Sequence, residues 1–260
     1  MDKTFGDEFF LAGIQLADLA AEITCKYFRG KIDVQYKSNC HPVTMVDQKV
    51  EQSLRKWIKD NYPTHGIIGE EYLAQNTMAK YTWTIDPIDG TVAFVTGKPT
   101  FSTLIALLEN GSPVLGIIDQ PINNERFVGV RGSGAWLNGK KMITSSEETL
   151  LRSRLSISSP DMFKTNKECA AFEQLRQQVN VISWGGDAYA YGLLADGYIE
   201  IILETDLGFY DIAALRPIIE ESGGIITNWC GENISAENFD GKCLACANPQ
   251  LHEAVLTIIN

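Results

Sequence analysis

The sequence predicts a layered fold of helices on β-sheets, α+β in its first half and α/β in its second, and three observations predict it. Two amphipathic helical stretches are followed by a run of short strands joined by turns. Beyond about residue 148 strands and helices alternate, the order that packs helices against a sheet. The composition, 45% hydrophobic and 21% charged over 260 residues, is that of a globular chain. It is long enough for one large domain or two of about 130 residues.

Residues 7–29 place Phe10, Ile14, Ala17 and Ala21 at helical spacing, with Gly30 as a stop. The polar segment KIDVQYKSNCHPVTMVD reads as a loop or hairpin. It leads into a second helix over 46–59, whose Val46, Val50, Leu54, Trp57 and Ile58 share one side. Asp47 falls in that helix's first turn, where a carboxylate suits the helix dipole. After Pro63, THGIIGEEY is a short apolar strand ending at Glu70 and Glu71. YTWTID (81–86) is another, which Pro87 is expected to stop. STLIALLENGSPVLGIIDQP reads as two strands around a turn at Gly111-Ser112-Pro113, and NERFVGVRGSGAWLNG continues the meander. The polar stretch TSSEETLLRSR (144–154) sets a soft boundary between an N-terminal half, 1–148, and a C-terminal half, 149–260, of one compact unit. In the second half LSISS, VISWGG, YIEIILE, GGIITNW and KCLACAN are strands. Residues 167–179, 187–196, 211–222 and 249–259 are helices.

With 22 Lys+Arg against 33 Asp+Glu, the net charge is −11. No basic cluster is present to release counterions, which argues against nucleic acid and anionic membranes as partners. Cations remain, as metal ions or as a positively charged substrate. No apolar run approaches the roughly 18 residues of a membrane span. MDKTFGDEFF has acids where a signal peptide carries a basic segment, so the cytoplasm is the expected compartment. Cys243 and Cys246 form a C-x-x-C, the spacing of a zinc half-site or redox pair. No second C-x-x-C or His pair completes a zinc site. KCLACAN reads instead as a short buried strand with its cysteines as small apolar residues.

The most informative segment is WTIDPIDGT (83–91). Asp86 stands at the carboxyl end of its strand and Asp89 three residues later in a tight turn, so both carboxylates can point at one place. Gly90-Thr91 offers backbone N–H groups to an anion. Two acids beside an anion site need cations, and hard oxygen ligands in a short segment suit Mg²⁺. Glu70-Glu71 ends another strand, a position where α/β sheets bind ligands. Asp211 begins the helix IAALRPIIEESGG. Taken singly, the Asp86–Asp89 pair reads as a solvated turn, and Glu70, Asp47 and Asp211 as strand-end or helix-start acids.

Together, GEE (69–71), DPIDGT (86–91) and YDIAAL…EESGG (210–224) resemble the inositol monophosphatase family of Mg²⁺-dependent, lithium-sensitive phosphomonoesterases, from the first helix to the end of the chain. The resemblance implies an αβαβα sandwich, a homodimer, and two to three Mg²⁺ per active site, with Mn²⁺ as a possible substitute. It implies that Glu70, Asp86 and the Ile88 carbonyl hold one ion and that Asp86, Asp89 and Asp211 hold a second. A third, weaker ion would share Glu70. Thr91, polarised by Asp47, would orient and deprotonate the attacking water together with Glu70, and Asp89 with the Gly90 and Thr91 amides would face the phosphate. Lys37 falls in the loop that covers the metals in the family. The residue before the last metal-binding Asp is usually Trp in the family, whereas here it is Tyr210. A catalytically idle relative serving as an interaction subunit would be free to lose these acids, yet all are present.

Substrate choice would rest with Gly185, Gly186, Asp187 and Glu204, beside Asp211, on the side of the leaving alcohol. Asp187 reads on position alone as a helix cap or as a ligand. FVTGKPTFSTLIALLENGSPVLGIIDQP, LNGK and WGGDAYAYGLLADGYIEIILE resemble the histidinol-phosphate phosphatase branch of the family. That substrate carries an amine and an imidazole with a pKa of about 6.5. Asp187 would then pair with the amine and Glu204 with the amine or the ring, while Tyr189 and Tyr191 would shape the pocket or, for at least one of them, pack in the core. An inositol-1-phosphate or broad sugar-phosphate phosphatase is the rival reading.

Overall fold

The computed structural model describes residues 3–36 and 42–260. Helix α1 (Lys3–Tyr27) buries Phe9, Ala12, Leu16, Ala17 and Ala20 along one stripe. Strands β1 (Val34–Tyr36) and β2 (Pro42–Thr44) then pair antiparallel, the hairpin alternative for that polar segment. Helix α2 (Met45–Asn61) starts on Thr44, which shares a capping box with Asp47, and buries Val46, Val50, Leu54 and Ile58 at four-residue spacing.

A seven-stranded sheet follows. Its strands, in spatial and sequence order, are β3 (Gly66–Gly69), β4 (Tyr81–Asp89), β5 (Ser102–Glu109), β6 (Ser112–Gln120), β7 (Glu125–Val130), β8 (Gly134–Leu137) and β9 (Lys140–Lys141). Only β3 and β4 are parallel. Pro87 does not end β4 as the sequence suggested. The register shifts between Asp86 and Asp89, and pairing resumes at Asp89 opposite Ser102. A bulge of this kind accommodates a residue without an N–H, and the Pro87 carbonyl instead accepts the Thr103 hydroxyl at 2.8 Å. Asp89 is therefore the last residue of a strand, not part of a tight turn. The β5–β6 turn is Asn110-Gly111, both left-handed (φ 50 and 79), rather than Gly111-Ser112-Pro113, because these two residues suit the two-residue turn that matches strand twist. Between β4 and β5 lies α3 (Thr91–Thr96).

The second sheet has five strands in the order β11-β10-β12-β14-β13: β10 (Arg154–Ile157), β11 (Val181–Trp184), β12 (Ile201–Glu204), β13 (Ile225–Thr227) and β14 (Cys243–Cys246). Helices α4 (Asn166–Arg176), α5 (Asp187–Ala195), α6 (Phe209–Ala213), α7 (Leu215–Ser222) and α8 (Pro249–Ile259) alternate with them. The predicted helix 211–222 is two pieces. Pro217 cannot donate to Ala213 four residues back, and the chain breaks at Ala214. Cys243 and Cys246 lie three apart on β14, so they point to opposite faces and into different core clusters, both fully buried and unbridged. They are apolar filling.

Three core clusters define the layering. One joins α1 and α2 to one face of the large sheet. A second joins its other face, α5, α6 and α7 to the small sheet. The third joins the far face of the small sheet to α4 and α8. The sequence of layers is αβαβα. In the middle layer, Gly116 and Gly129 are direct register partners on β6 and β7. A Cβ at Gly116 would overlap the Ala214 carbonyl, and one at Gly129 the backbone of Pro217 and Ile218. The α6–α7 junction thus rests backbone-on-sheet. Among the described residues no helix is long and apolar enough to cross a membrane.

Candidate active site

Asp86, Asp89 and Asp211 converge where β4 meets the start of α6, with one oxygen from each within 4.8 Å of the others. Their placement follows from local structure. The β4 bulge lets Asp86 and Asp89 face the same layer, and Asp211 sits in the first turn of α6, where its Oδ2 accepts the Gly208 N–H at 2.7 Å. Asp86 Oδ1 accepts the Ile88 N–H at 3.1 Å, and Asp89 Oδ2 accepts the Ala188 N–H from the first turn of α5 at 2.6 Å. Glu70 follows β3, and its N–H donates to the Ile85 carbonyl at 3.3 Å, one residue before Asp86.

Burial raises all three aspartates. The Asp86 carboxyl lies well above the usual carboxylate range through desolvation and then the charges of Glu70, Asp211 and Asp89. Asp89 is raised likewise by desolvation and then by Asp187 and Asp211. Asp211 is pushed up to about 7, chiefly by desolvation, against its bond from Gly208. Asp86 and Asp211 lie close enough for each to perturb the other's ionisation. A buried cluster of hard oxygen donors in mutual repulsion is the donor set that a divalent cation relieves, so these residues fit a metal.

This has a consequence for stability. Carboxyls that hold protons more tightly folded than unfolded add stability at low pH and lose it as pH rises through the folded pKa. The window runs from the ordinary carboxylate value near 3.9 to about 7 for Asp211, and Asp86 and Asp89 are raised in the same direction. In chelator, the thermal midpoint should therefore fall as pH rises from about 5 to 8, and a divalent cation should raise it most at the alkaline end. A cation effect absent at every pH would remove the metal assignment.

Around this centre, α3 begins at Thr91, and its first-turn amides have no carbonyl partners within the helix. Gly90 lies against Asp187, whose Oδ2 would be 2.7 Å from a Cβ built there. Asp187 itself is left-handed (φ 46), next to Gly186 and the left-handed Gly185 (φ 74). Asp tolerates this conformation better than most residues.

The family model described as the inositol monophosphatase family matches residues 7–260. The chain belongs to the inositol monophosphatase family. Membership makes it a phosphatase, and its relatives agree. It is 41% identical to a chloroplastic bifunctional phosphatase, IMPL2, of Arabidopsis thaliana, over 96% of this chain and 74% of that protein. It is 34% identical to the histidinol-phosphatase of Mycobacterium tuberculosis, over 98% of both chains. Among solved structures, an inositol monophosphatase from Zymomonas mobilis superposes with a TM-score of 0.88 at 38% identity, covering 97% of this chain and 98% of that one.

Not every residue expected from the inositol monophosphatase family pattern meets its expected partner. The Thr91 hydroxyl donates to the Ile88 carbonyl at 3.1 Å, while Asp47 Oδ2 accepts the Thr44 N–H at 2.8 Å and the Thr44 hydroxyl at 2.6 Å. Asp47 thus caps α2 and does not polarise Thr91 directly, although it is close enough to Glu70 to feel its charge. Glu204 is 3% exposed, and its oxygens are occupied. Ser158 gives Oε1 its N–H at 3.0 Å and its hydroxyl, and Tyr191 gives Oε2 its hydroxyl at 2.9 Å. Glu204 therefore organises the wall rather than presenting a free carboxylate. Tyr191 is a core residue, whereas the half-buried Tyr189 donates to Glu125 at 2.6 Å. Tyr210 lies beside Asp211, Glu70 and Asp86, and burial with their charges raises its hydroxyl pKa far above the usual range. Lys37 lies outside the described residues.

The sequence reading missed Ser158, which stands between Glu204 and Asp187 and favours the ionised form of both. It also missed Lys98, whose charge acts on Asp187. The one available signal was the Ser158-Ser159 pair closing a strand. A concave surface of about 1520 Å³ beside α1 and β6–β8 is lined by none of Glu70, Asp86, Asp89, Asp187, Glu204 and Asp211.

Proposed function

We propose that the chain is a Mg²⁺-dependent phosphatase that hydrolyses L-histidinol phosphate to L-histidinol and phosphate. The observation that carries this choice is Asp187, whose carboxylate lies beside Gly90 at the start of α5. An alcohol whose phosphate is held by the first-turn amides of α3 meets this carboxylate first. A half-buried negative charge there serves an ammonium better than a neutral polyol. The likeness to histidinol-phosphatases along nearly the whole chain supports the same reading.

In this reading Asp86, Asp89 and Asp211, with Glu70 and the Ile88 carbonyl, would hold Mg²⁺. Bound by these oxygens, Mg²⁺ supplies a water of lowered pKa and counter-charge for the phosphoryl oxygens. The chain's own groups do the rest. Glu70 takes the proton lost by the attacking water. Thr91 keeps its oxygen open as an acceptor because its own proton is committed to Ile88, so it fixes the direction of that water. The Gly90 and Thr91 amides hold the phosphoryl oxygens, Asp187 holds the amine, and Glu204 keeps Ser158 against Asp187.

A second reading is an inositol-1-phosphate phosphatase. It is favoured by Lys98, which already gives Asp187 a positive neighbour, and by the likeness to the Zymomonas mobilis protein. The test is phosphate release from histidinol phosphate and inositol-1-phosphate, side by side, with Mg²⁺ and with chelator. A kcat/KM about a hundredfold higher for histidinol phosphate, equivalent to about 2.7 kcal/mol, is expected. The reverse preference would leave the phosphatase chemistry and remove the histidinol reading. No Mg²⁺-dependent turnover of either would favour an interaction subunit.

A further inference from the structure

Helix α2 carries a second acid one turn beyond Asp47. Glu51 has no solvent exposure, an unusual place for a glutamate unless its oxygens are fully engaged. Its Oε2 accepts the Glu71 N–H at 2.7 Å, and its Oε1 accepts the Tyr72 N–H at 3.2 Å and the Arg55 Nε–H at 2.7 Å. Arg55 in turn donates from Nη2 to the Tyr72 carbonyl at 2.9 Å. The pair therefore clamps the backbone just after Glu70. Gly69, just before Glu70, has no room for a side chain, since a Cβ there would overlap the Glu51 carboxylate. On its other side Glu70 is tied to β4 through its N–H on Ile85.

We propose that Glu51, braced by Arg55, is a positioning residue for Glu70, setting where that carboxylate stands relative to Asp86. The inference rests on the proposed metal-dependent reading for its consequence, but not for its geometry. The three backbone and guanidinium bonds to Glu51 are charge-assisted and buried, the setting in which such bonds are strongest. With the backbone fixed on both sides of Glu70, less freedom is left to lose when its carboxylate takes up a ligand, so the brace lowers the cost of assembling the centre. The same helix then serves the centre twice: Asp47 caps its start beside Glu70, and Glu51 holds the turn that carries Glu70.

The test compares wild type with Glu51→Gln and with Arg55→Lys, which keeps a donor beside Glu51. Three readouts are needed: amide hydrogen exchange at residues 69–72 without metal, Mn²⁺ affinity by calorimetry, and kcat and KM against Mg²⁺ concentration. In Glu51→Gln, exchange at Glu71 and Tyr72 should speed at least tenfold while the strands of the large sheet stay protected. Mn²⁺ should bind at least tenfold more weakly, and kcat should fall at least tenfold with KM for the phosphate ester within about twofold. Arg55→Lys should retain most of the wild-type affinity. Unchanged exchange at 71–72, or unchanged Mn²⁺ affinity in a folded variant, overturns the brace. If Glu51→Gln fails to fold, wild-type protection at Glu71 and Tyr72 together with the Arg55→Lys affinity decides the matter, and fast wild-type exchange there overturns it. Failure of the wild type to bind Mn²⁺ at all would instead overturn the metal centre, and the exchange data would still judge the brace.

Discussion

Asp89→Asn should lower kcat on any phosphomonoester on the order of a thousandfold, about 4 kcal/mol of transition-state stabilisation, while leaving the chain folded. Asn has the same shape, and its carbonyl oxygen can still accept the Ala188 N–H that reaches Asp89 at 2.6 Å. What disappears is one negative charge from three crowded aspartates. The same loss should make the metal-free variant more heat-stable than the wild type at pH 8, because burial and neighbouring charge oppose ionisation of Asp89. Opposite movement of kcat and thermal midpoint in one variant is the signature. Wild-type turnover would remove Asp89 from the reaction centre, and a lower midpoint in chelator would remove the repulsion.

Asp187→Asn should lower kcat/KM for histidinol phosphate about a hundredfold, the 2–5 kcal/mol range for losing one partner of a desolvated charge pair, and change inositol-1-phosphate hydrolysis less than threefold. Asn is the informative replacement, since Asp187 is left-handed and Asn tolerates that backbone where Ala does not. Steady-state kinetics on the two esters would separate the readings. Equal losses on both would make Asp187 a device for starting α5, with no part in choosing the alcohol.

Much of this was legible because the chemistry is encoded locally. Asp86 and Asp89 are three residues apart around a proline, and their convergence needs only one irregularity in one strand. Helix α8 matched its predicted span, 249–259, because Asn248 and Pro249 mark its start and the apolar spacing is regular. Pro87 misled because a proline within a strand reads as an end, and only the partner strand reveals a bulge. The Asp47–Thr91 link failed for a different reason. Rotamers choose among nearby partners: Asp47 accepts from Thr44 and Thr91 donates to the Ile88 carbonyl, each three residues away in the chain. Glu51 and Arg55 were invisible for a third reason: a Glu and an Arg four apart on a helix read as a solvated pair. Their burial depends on Gly69 approaching from another element.

The two glycines under the α6–α7 junction separate durability from adaptability in this molecule. Asp211 stands on a helix seated directly on the large sheet through Gly116 and Gly129, and the sheet also carries Asp86 and Asp89. No interchangeable side chain lies between them at that contact, so ordinary sequence drift has little there to act upon. Residues 185–187, at the start of α5, are held by hydrogen bonds and side-chain contact rather than by such a backbone-on-sheet seat. Such an enzyme can exchange the alcohol it accepts by small changes in a loop while its phosphate chemistry stays as it was. New substrates would be reached by editing the rim, and the hearth would go on burning undisturbed.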